Sequence, residues 1–95
     1  MARYIALLTF TEQGAKALKK STNRARQFDK LAAKSGVKVE AQFWTVGRYD
    51  GALILSADES QKILHLLAAL ASLGNVRTES LQAFTDSEFD GILSS

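Results

Sequence analysis

Residues 37–57 read VKVEAQFWTVGRYDGALILSA, and this stretch decides the fold. Side chains of opposite character alternate over residues 37–46, as they do in a strand near the edge of a sheet. Residues 47–48, Gly-Arg, fit the two-residue turn of a β-hairpin with glycine first. Residues 49–57 then return as a second, more apolar strand. The sequence therefore predicts an antiparallel hairpin in the middle of the chain.

The tight turn also predicts the register of this hairpin. It places Trp44 opposite Gly51 and Glu40 opposite Leu55. A tryptophan ring beside a bare glycine backbone is a stabilising cross-strand pair, so this pair supports the predicted hairpin without any functional role.

The remaining elements are indicated by their caps and by the spacing of their apolar residues. We predict a strand over residues 3–10, a short helix over 12–19 capped by Thr11, a second helix capped by Ser21 and stopped at Gly36, a third helix capped by Asp58 and ending at residue 73, a strand over 75–84 and a terminal helix opened by Thr85 and Glu88. Asp58 and Gln61 are expected to form a capping box. Inside the terminal helix, we expect Phe89, Ile92 and Leu93 to point inward.

The element order β-α-β-β-α-β predicts an α+β, ferredoxin-like sandwich. Right-handed crossovers give it a four-stranded antiparallel sheet in the order 4-1-3-2, with the helices on one face and a short C-terminal helix. With 95 residues, of which 46% are hydrophobic, the chain can build one core. We therefore expect a single domain over residues 1–95.

The composition excludes several classes of protein. The chain has no cysteine, which removes thiolate catalysis and cysteine metal sites and fits a reducing compartment. No apolar run reaches the roughly 18 residues of a membrane-spanning helix. Residues 1–4 lead directly into strand sequence rather than into a secretory signal. We expect a soluble, cytoplasmic protein with no membrane partner.

The charge is unevenly distributed along the chain. Residues 1–48 carry ten Lys and Arg against three Asp and Glu, a net charge of +7, whereas residues 49–95 carry two against seven, a net charge of −5. Such asymmetry permits contacts between copies of the chain as readily as nucleic-acid binding, which requires a continuous basic surface with aromatic platforms. We interpret the basic residues as solvated helix faces and do not expect a nucleic-acid partner.

One face of the predicted sheet is left uncovered by the helices of so small a chain. We assign Leu53 and Leu55 to that face, together with Trp44 and Tyr49. An apolar patch of this kind favours a homodimer or higher oligomer, packed sheet to sheet under two-fold symmetry. The alternative is a monomer with apolar side chains scattered over its surface.

Two side chains are candidates for acid–base catalysis. His65 is the only histidine, and without a second histidine or any cysteine we predict no metal site around it. Asp50 follows the hairpin turn, where a carboxylate at the rim of a cavity could act as a base. Alternatively, Asp50 accepts hydrogen bonds from backbone N–H groups or from Thr45.

The predicted binding site is a small cleft between the sheet and the helices. We expect it to be lined by Thr9, Trp44, Thr45, Tyr49, Asp50 and Arg77. Arg24, near the start of the second helix, can turn inward toward Asp50. A closed cavity of roughly 300 Å³ or more, reached by Asp50 or His65, would favour an enzyme, whereas a filled core would exclude one.

Three blocks of sequence carry a family resemblance: residues 11–14 (TEQG), 43–50 (FWTVGRYD) and 72–79 (SLGNVRTE). In this order and spacing they resemble the GYD domain family, which is named for a Gly-x-Tyr-Asp signature. The resemblance spans essentially the whole chain and implies a small bacterial protein that assembles like the dimeric α/β-barrel superfamily. It implies no particular activity, since similar folds include cofactor-independent monooxygenases, lactone isomerases and haem enzymes. His65 is not part of the signature.

Two functions follow from these observations. The first is a homo-oligomeric protein that binds a small molecule in the cleft and needs no cofactor. The alternative is a cofactor-independent enzyme, similar to a monooxygenase or an isomerase, acting on a small aromatic or carbonyl compound. In that enzyme Asp50 or His65 would transfer a proton, and Trp44 and Tyr49 would form an apolar wall.

Overall fold

Four antiparallel strands form one sheet in the order β2-β3-β1-β4 in the computed structural model, which describes residues 1–95. The elements are β1 Ala2–Phe10, α1 Glu12–Lys16, a 3₁₀ turn Leu18–Lys20, α2 Ser21–Lys34, β2 Lys38–Trp44, β3 Gly51–Ala57, α3 Ser60–Ser72, β4 Val76–Gln82 and α4 Asp86–Ser94. The order is the predicted 4-1-3-2 read from the opposite edge. The predicted α+β fold class is therefore confirmed.

No helix combines the length and the apolar content needed to cross a bilayer.

The helix boundaries follow the predicted signals in part. Thr11 caps α1 by accepting a hydrogen bond from the Gly14 N–H, and Thr85 and Glu88 form the capping box of α4. Two predicted caps are wrong. Ser21 is already inside α2, because the 3₁₀ turn leads directly into that helix. The predicted cap at Asp58 is absent, because α3 begins two residues later and this carboxylate pairs instead with the Lys62 ammonium, at 2.9 Å.

The hydrophobic core lies between the sheet and helices α2 and α3. Its fully buried members include Leu55, Ile63 and Leu66, and Leu53 is only 4% exposed. The prediction that Leu53 and Leu55 face away from the helices is therefore wrong. Both faces of β3 are apolar, and the face that carries Leu53 and Leu55 is the one that packs against the helices.

The hairpin register is confirmed on one side of a bulge and wrong on the other. Trp44 pairs with Gly51 as predicted, but an extra residue between Val39 and Ala41 shifts the pairing, so that Val39 lies opposite Leu55. Glu40 is the bulged residue, and its carboxylate accepts a hydrogen bond of 3.0 Å from Arg3 Nε. This contact lowers the pKa of Glu40.

The turn of the hairpin is wider than the predicted two residues. The strands end at Trp44 and resume at Gly51, and the last backbone contact is the Thr45 N–H donating to the Asp50 carbonyl at 3.0 Å. Gly47 has a φ of +149°, a conformation that favours glycine. Tyr49 and Asp50 are therefore loop residues, and the alternation of side chains between the two faces of β3 does not determine where theirs point.

The face of the sheet opposite the helices, here called the open face, carries apolar side chains in its middle and charged ones at its rim. Register and strand alternation give its apolar members as Ile5, Leu7, Ala41, Phe43, Ala52, Ile54 and Leu81. Arg3, Glu40, Arg77 and Glu79 surround them. The predicted interface residues Trp44, Leu53 and Leu55 do not belong to this face. By strand alternation their side chains are on the other side of the sheet, the side that packs against the helices.

Helix α4 extends away from the core and makes only sparse contact with the other elements. Phe89, Ile92 and Leu93 are 50%, 46% and 68% exposed, so the prediction that they point inward is wrong. An ion pair of 3.7 Å between Arg3 and Glu88 connects the helix to the sheet. The capping signal correctly predicted a helix here, but it carries no information on what the helix packs against.

Candidate functional site

A cavity of about 350 Å³ lies between the sheet and the helices, on the side where α2 begins and α3 ends. Its wall is mainly apolar, and the aromatic side chains of Phe10, Phe28 and Trp44 contribute to it. Trp44 is half exposed, which places it at the rim, where the cavity is open to solvent. The core is therefore not filled at this end of the sheet.

Gly51 lines the cavity at a position where there is no room for a side chain. A Cβ atom at this position would lie 3.0 Å from the Phe43 carbonyl oxygen and 3.2 Å from Leu8 Cδ1, closer than ordinary packing allows. Because Trp44 is its cross-strand partner, the bare backbone of Gly51 lies beside the indole ring. The pair was predicted as a purely stabilising contact, and both residues also line the cavity.

Asp50 is held at the cavity wall by three contacts with the backbone. Its Oδ2 accepts a hydrogen bond of 2.8 Å from the Phe10 N–H, its own N–H donates to the Leu8 carbonyl at 2.8 Å, and its carbonyl accepts from Thr45. The carboxylate thus satisfies a backbone N–H at the end of β1, which is the structural role weighed for it from the sequence. Oδ1 makes no hydrogen bond within the chain, so one carboxylate oxygen remains available at the wall.

Arg24 lines the same cavity from α2, as its place near the start of that helix predicts. Nη1 donates to the Ala17 carbonyl at 2.8 Å and Nη2 to the Gly14 carbonyl at 3.4 Å. These bonds cap the carbonyl end of α1. No carboxylate lies within salt-bridge distance of the guanidinium, whose positive charge is therefore unpaired.

The predicted cleft residues are divided between the two faces of the sheet. Thr9 and Arg77 are cross-strand partners on the open face. Their neighbours in β1 and β4 line the cavity, and successive side chains of a strand point to opposite faces of the sheet. The Tyr49 hydroxyl is also there, since it donates a hydrogen bond of 2.6 Å to Glu79. The expectation that these three side chains line the cleft is therefore corrected.

Thr45 and His65 also lie outside the cavity. The Thr45 hydroxyl donates to the Tyr49 carbonyl at 2.6 Å and so braces the loop. His65 is on the exposed side of α3. Of the predicted site residues, the structure brings only Trp44 and Asp50 together in the cavity wall. No group of three His, Asp or Glu side chains is arranged to hold a metal ion.

Sequence reasoning missed most of the cavity wall. Phe10, Phe28, Leu31 and Leu70 occur at apolar positions whose spacing indicates only that they face inward. The same spacing occurs in a helix whose side chains fill the space between helix and sheet and in a helix whose side chains leave a cavity there. The spacing therefore does not predict a cavity. The one available signal was Arg24, a charged side chain near the predicted inner face of α2.

A set of contacts, here called the latch, lies beside the cavity at the end of α3. The Thr11 hydroxyl donates to the Gly74 carbonyl at 2.6 Å, and the Thr11 N–H donates to the Asn75 carbonyl at 3.1 Å. Gln13 Nε2 donates to the Leu73 carbonyl at 3.0 Å. These bonds join α1 to the α3–β4 connection, so both crossovers of the fold are tied together beside the cavity.

Comparison with known proteins identifies the family. The family model of the GYD domain matches residues 4–93. The chain belongs to the GYD domain family. The resemblance carried by three blocks of the sequence is thereby confirmed.

Two proteins of Thermus thermophilus are similar to this GYD domain. One, named glutamine synthetase and cystathionine beta-lyase binding protein, is 33% identical over 84 residues, covering 87% of this chain and 88% of its own length. The other is TTHA0845, whose crystal structure covers 90% of this chain and 95% of its own with a TM-score of 0.58 and 21% identity. The second likeness shows a shared fold.

Proposed function

We propose that this chain is a cytoplasmic, homo-oligomeric binding protein, folded as one domain, that holds a small molecule in the cavity between its sheet and its helices. The single observation behind the proposal is the cavity itself, about 350 Å³ in volume and lined by eleven hydrophobic residues among eighteen. Ligand sites in proteins have volumes of roughly 300–1,000 Å³, are mainly apolar and carry a few polar groups. This cavity has these properties, with Arg24 and Asp50 as its charged groups.

The homo-oligomer in this proposal uses the open face. Its apolar centre includes Ile54 and Leu81, and its rim carries both acidic and basic side chains. Under two-fold symmetry the face packs against itself, and a rim with charges of both signs is not uniformly repulsive to its own copy, which supports a second copy as the occupant. The cavity lies on the other side of the sheet and stays accessible in this arrangement.

A protein partner is the second candidate function. The Thermus thermophilus relative is named for binding two enzymes, and it covers most of this chain. Helix α4 supplies a surface for such a partner, since Phe89, Ile92 and Leu93 are exposed on it and Asp86, Glu88 and Asp90 give it a negative charge. This function is compatible with a ligand in the cavity, because α4 does not line that cavity.

The enzyme alternative depends on Asp50 alone. Asp50 supplies the one carboxylate of the cavity wall, and its free Oδ1 is the only group there suited to accept a proton from a carbonyl or aromatic substrate. His65 is exposed and is not a lining residue of the cavity, so it has no part in this alternative. Binding is favoured over catalysis because acid–base catalysis of this kind uses both a proton acceptor and a proton donor. The cavity wall supplies the acceptor, Asp50, without a second group as the donor.

The test is to fill the cavity and to measure binding of a neutral apolar dye, N-phenyl-1-naphthylamine, by its fluorescence. Ala25→Trp places an indole in the space, because Ala25 lines the cavity from α2. Ala33→Trp is the matched control, an exposed alanine on the same helix. We expect the wild type and Ala33→Trp to bind the dye and Ala25→Trp to lose binding while keeping its circular dichroism spectrum. Equal binding by all three proteins would show that the dye lies elsewhere and would refute the proposal.

A further inference from the structure

The cavity wall carries two charged side chains that have no charged partner in the chain. The four ion pairs of the molecule are Arg3–Glu40, Arg3–Glu88, Lys16–Glu12 and Lys62–Asp58. Arg24 and Asp50 are absent from this set, although both are partly buried. A partly buried charge without a counter-charge is costly, so its presence at a cavity points to a charge supplied by the ligand.

Arg24 retains donors for such a ligand. A guanidinium has five N–H groups, and here one N–H of Nη1 and one of Nη2 are engaged by the carbonyls of Ala17 and Gly14. Neutral carbonyls hold the group in place without cancelling its charge. The remaining donors are fixed in direction by these two bonds, so little side-chain entropy is lost when an acceptor binds.

Asp50 determines which way an anionic ligand would lie. Its Oδ2 is occupied by the Phe10 N–H, and its Oδ1 adds an uncompensated negative charge to that end of the wall. A carboxylate is repelled there and attracted to Arg24 on α2. The apolar body of the ligand would then lie along the aromatic wall formed by Phe10, Phe28 and Trp44.

On the basis of the proposed function, we propose that the ligand is a small aromatic or similarly apolar carboxylic acid whose carboxylate binds Arg24. The volume of about 350 Å³ accommodates one or two fused rings. A carboxylate matches the planar donor fork of arginine and forms charge-assisted hydrogen bonds, which are stronger than those to a neutral amide. Charge on the ligand, rather than ring size alone, thus determines its affinity.

The test compares three probes that share one ring system and differ in charge: 2-naphthoate, 2-naphthamide and 2-naphthylmethylammonium. Calorimetric titration of the wild type is expected to give a Kd for the acid that is lower than that for the amide by more than about tenfold. Arg24→Gln removes the positive charge and should bring the acid and the amide within about twofold of each other. Arg24→Lys keeps the charge and should keep the preference for the acid.

Arg26→Gln is the matched control, since Arg26 is exposed on the same helix and does not line the cavity. It should leave all three affinities unchanged, whereas a purely structural role of Arg24 would weaken the three probes equally. Equal binding of acid and amide by the wild type, or tightest binding of the ammonium, would overturn the inferred ligand class and leave the cavity proposal standing. If no probe binds while N-phenyl-1-naphthylamine still binds in the cavity, the inferred ligand class is likewise overturned; if neither the probes nor the dye binds, the proposed function itself fails.

Discussion

The hydroxyl of Tyr49 donates a hydrogen bond of 2.6 Å to the carboxylate of Glu79 across strand β1. Because β1 lies between β3 and β4, this bond joins the β2–β3 loop to the far edge strand over the open face. Tyr49 therefore braces the sheet, while Asp50, the next residue in the chain, reaches the cavity on the other face.

The Tyr49–Glu79 bond predicts a loss of stability in alkali. The Glu79 carboxylate raises the pKa of Tyr49, since it accepts a hydrogen bond from the protonated phenol and its negative charge opposes ionisation. The unfolded chain therefore loses this proton first, and the stabilisation present below about pH 10 is lost as the pH rises through the folded-state pKa. Spectrophotometric titration should give a lower phenol pKa in Glu79→Gln, and an unchanged titration would contradict the bond.

Removal of the Asp50 carboxylate is expected to destabilise the fold. Asp50→Ala leaves the Phe10 N–H without its acceptor, at a cost of about 1–3 kcal/mol in the free energy of unfolding. Asp50→Asn keeps an acceptor oxygen and should lose less. Urea denaturation of the three proteins measures both effects. Equal stability of Asp50→Ala and the wild type would mean that water replaces the carboxylate.

Replacement of Gly14 by alanine is predicted to destabilise the fold, although Gly14 lies in a helix, where alanine is normally the more favourable residue. A Cβ atom there would collide with the carbonyl oxygen of Asn75, so Gly14→Ala should lower the free energy of unfolding by about 1–3 kcal/mol. Gly91→Ala in α4 is the control, because open space surrounds that position. Thermal denaturation followed by circular dichroism should show a lower Tm for the first variant only. A Tm equal to that of the wild type would show that α1 moves freely away from Asn75.

Self-association through the open face is tested by a single charge. Leu81 is 49% exposed on that face, and Leu64 is 48% exposed on α3, away from it. Sedimentation velocity should show that Leu81→Asp sediments as a monomer, because an unpaired carboxylate would be buried between the sheets. Leu64→Asp should sediment like the wild type. A dimer that survives Leu81→Asp but not Leu64→Asp would place the interface on α3.

The sequence predicted those parts of the fold that depend on local signals. The Thr11 cap, the stop at Gly36 and the Trp44–Gly51 pair each arise from residues close to one another in the chain, and all three are present. The orientation of β3 was predicted wrongly, because Leu53 and Ile54 are both apolar and alternation cannot say which of two apolar faces meets a helix. That choice depends on the packing of the whole core.

The site was harder to predict than the fold for the same reason. Thr9 and Asp50 are near each other at one end of the sheet, but their side chains belong to opposite faces. The sequence predicted the pairing of β2 with β3 only, and the face on which Thr9 lies depends on the pairing of β1. A cavity is also a property of packing. Whether the side chains of Phe28 and Leu70 meet or leave a gap depends on how far α2 and α3 lie apart, which no local pattern encodes.

The latch has a consequence for the speed of binding. All of its acceptors are main-chain oxygens, those of Leu73, Gly74 and Asn75, so substitution of the side chains that line the cavity does not remove them. The two crossovers cannot swing apart without breaking these bonds, and a ligand meets an entrance that already exists. Association should therefore follow single-step kinetics proportional to ligand concentration, as expected for a rigid receptor, with no slow conformational phase.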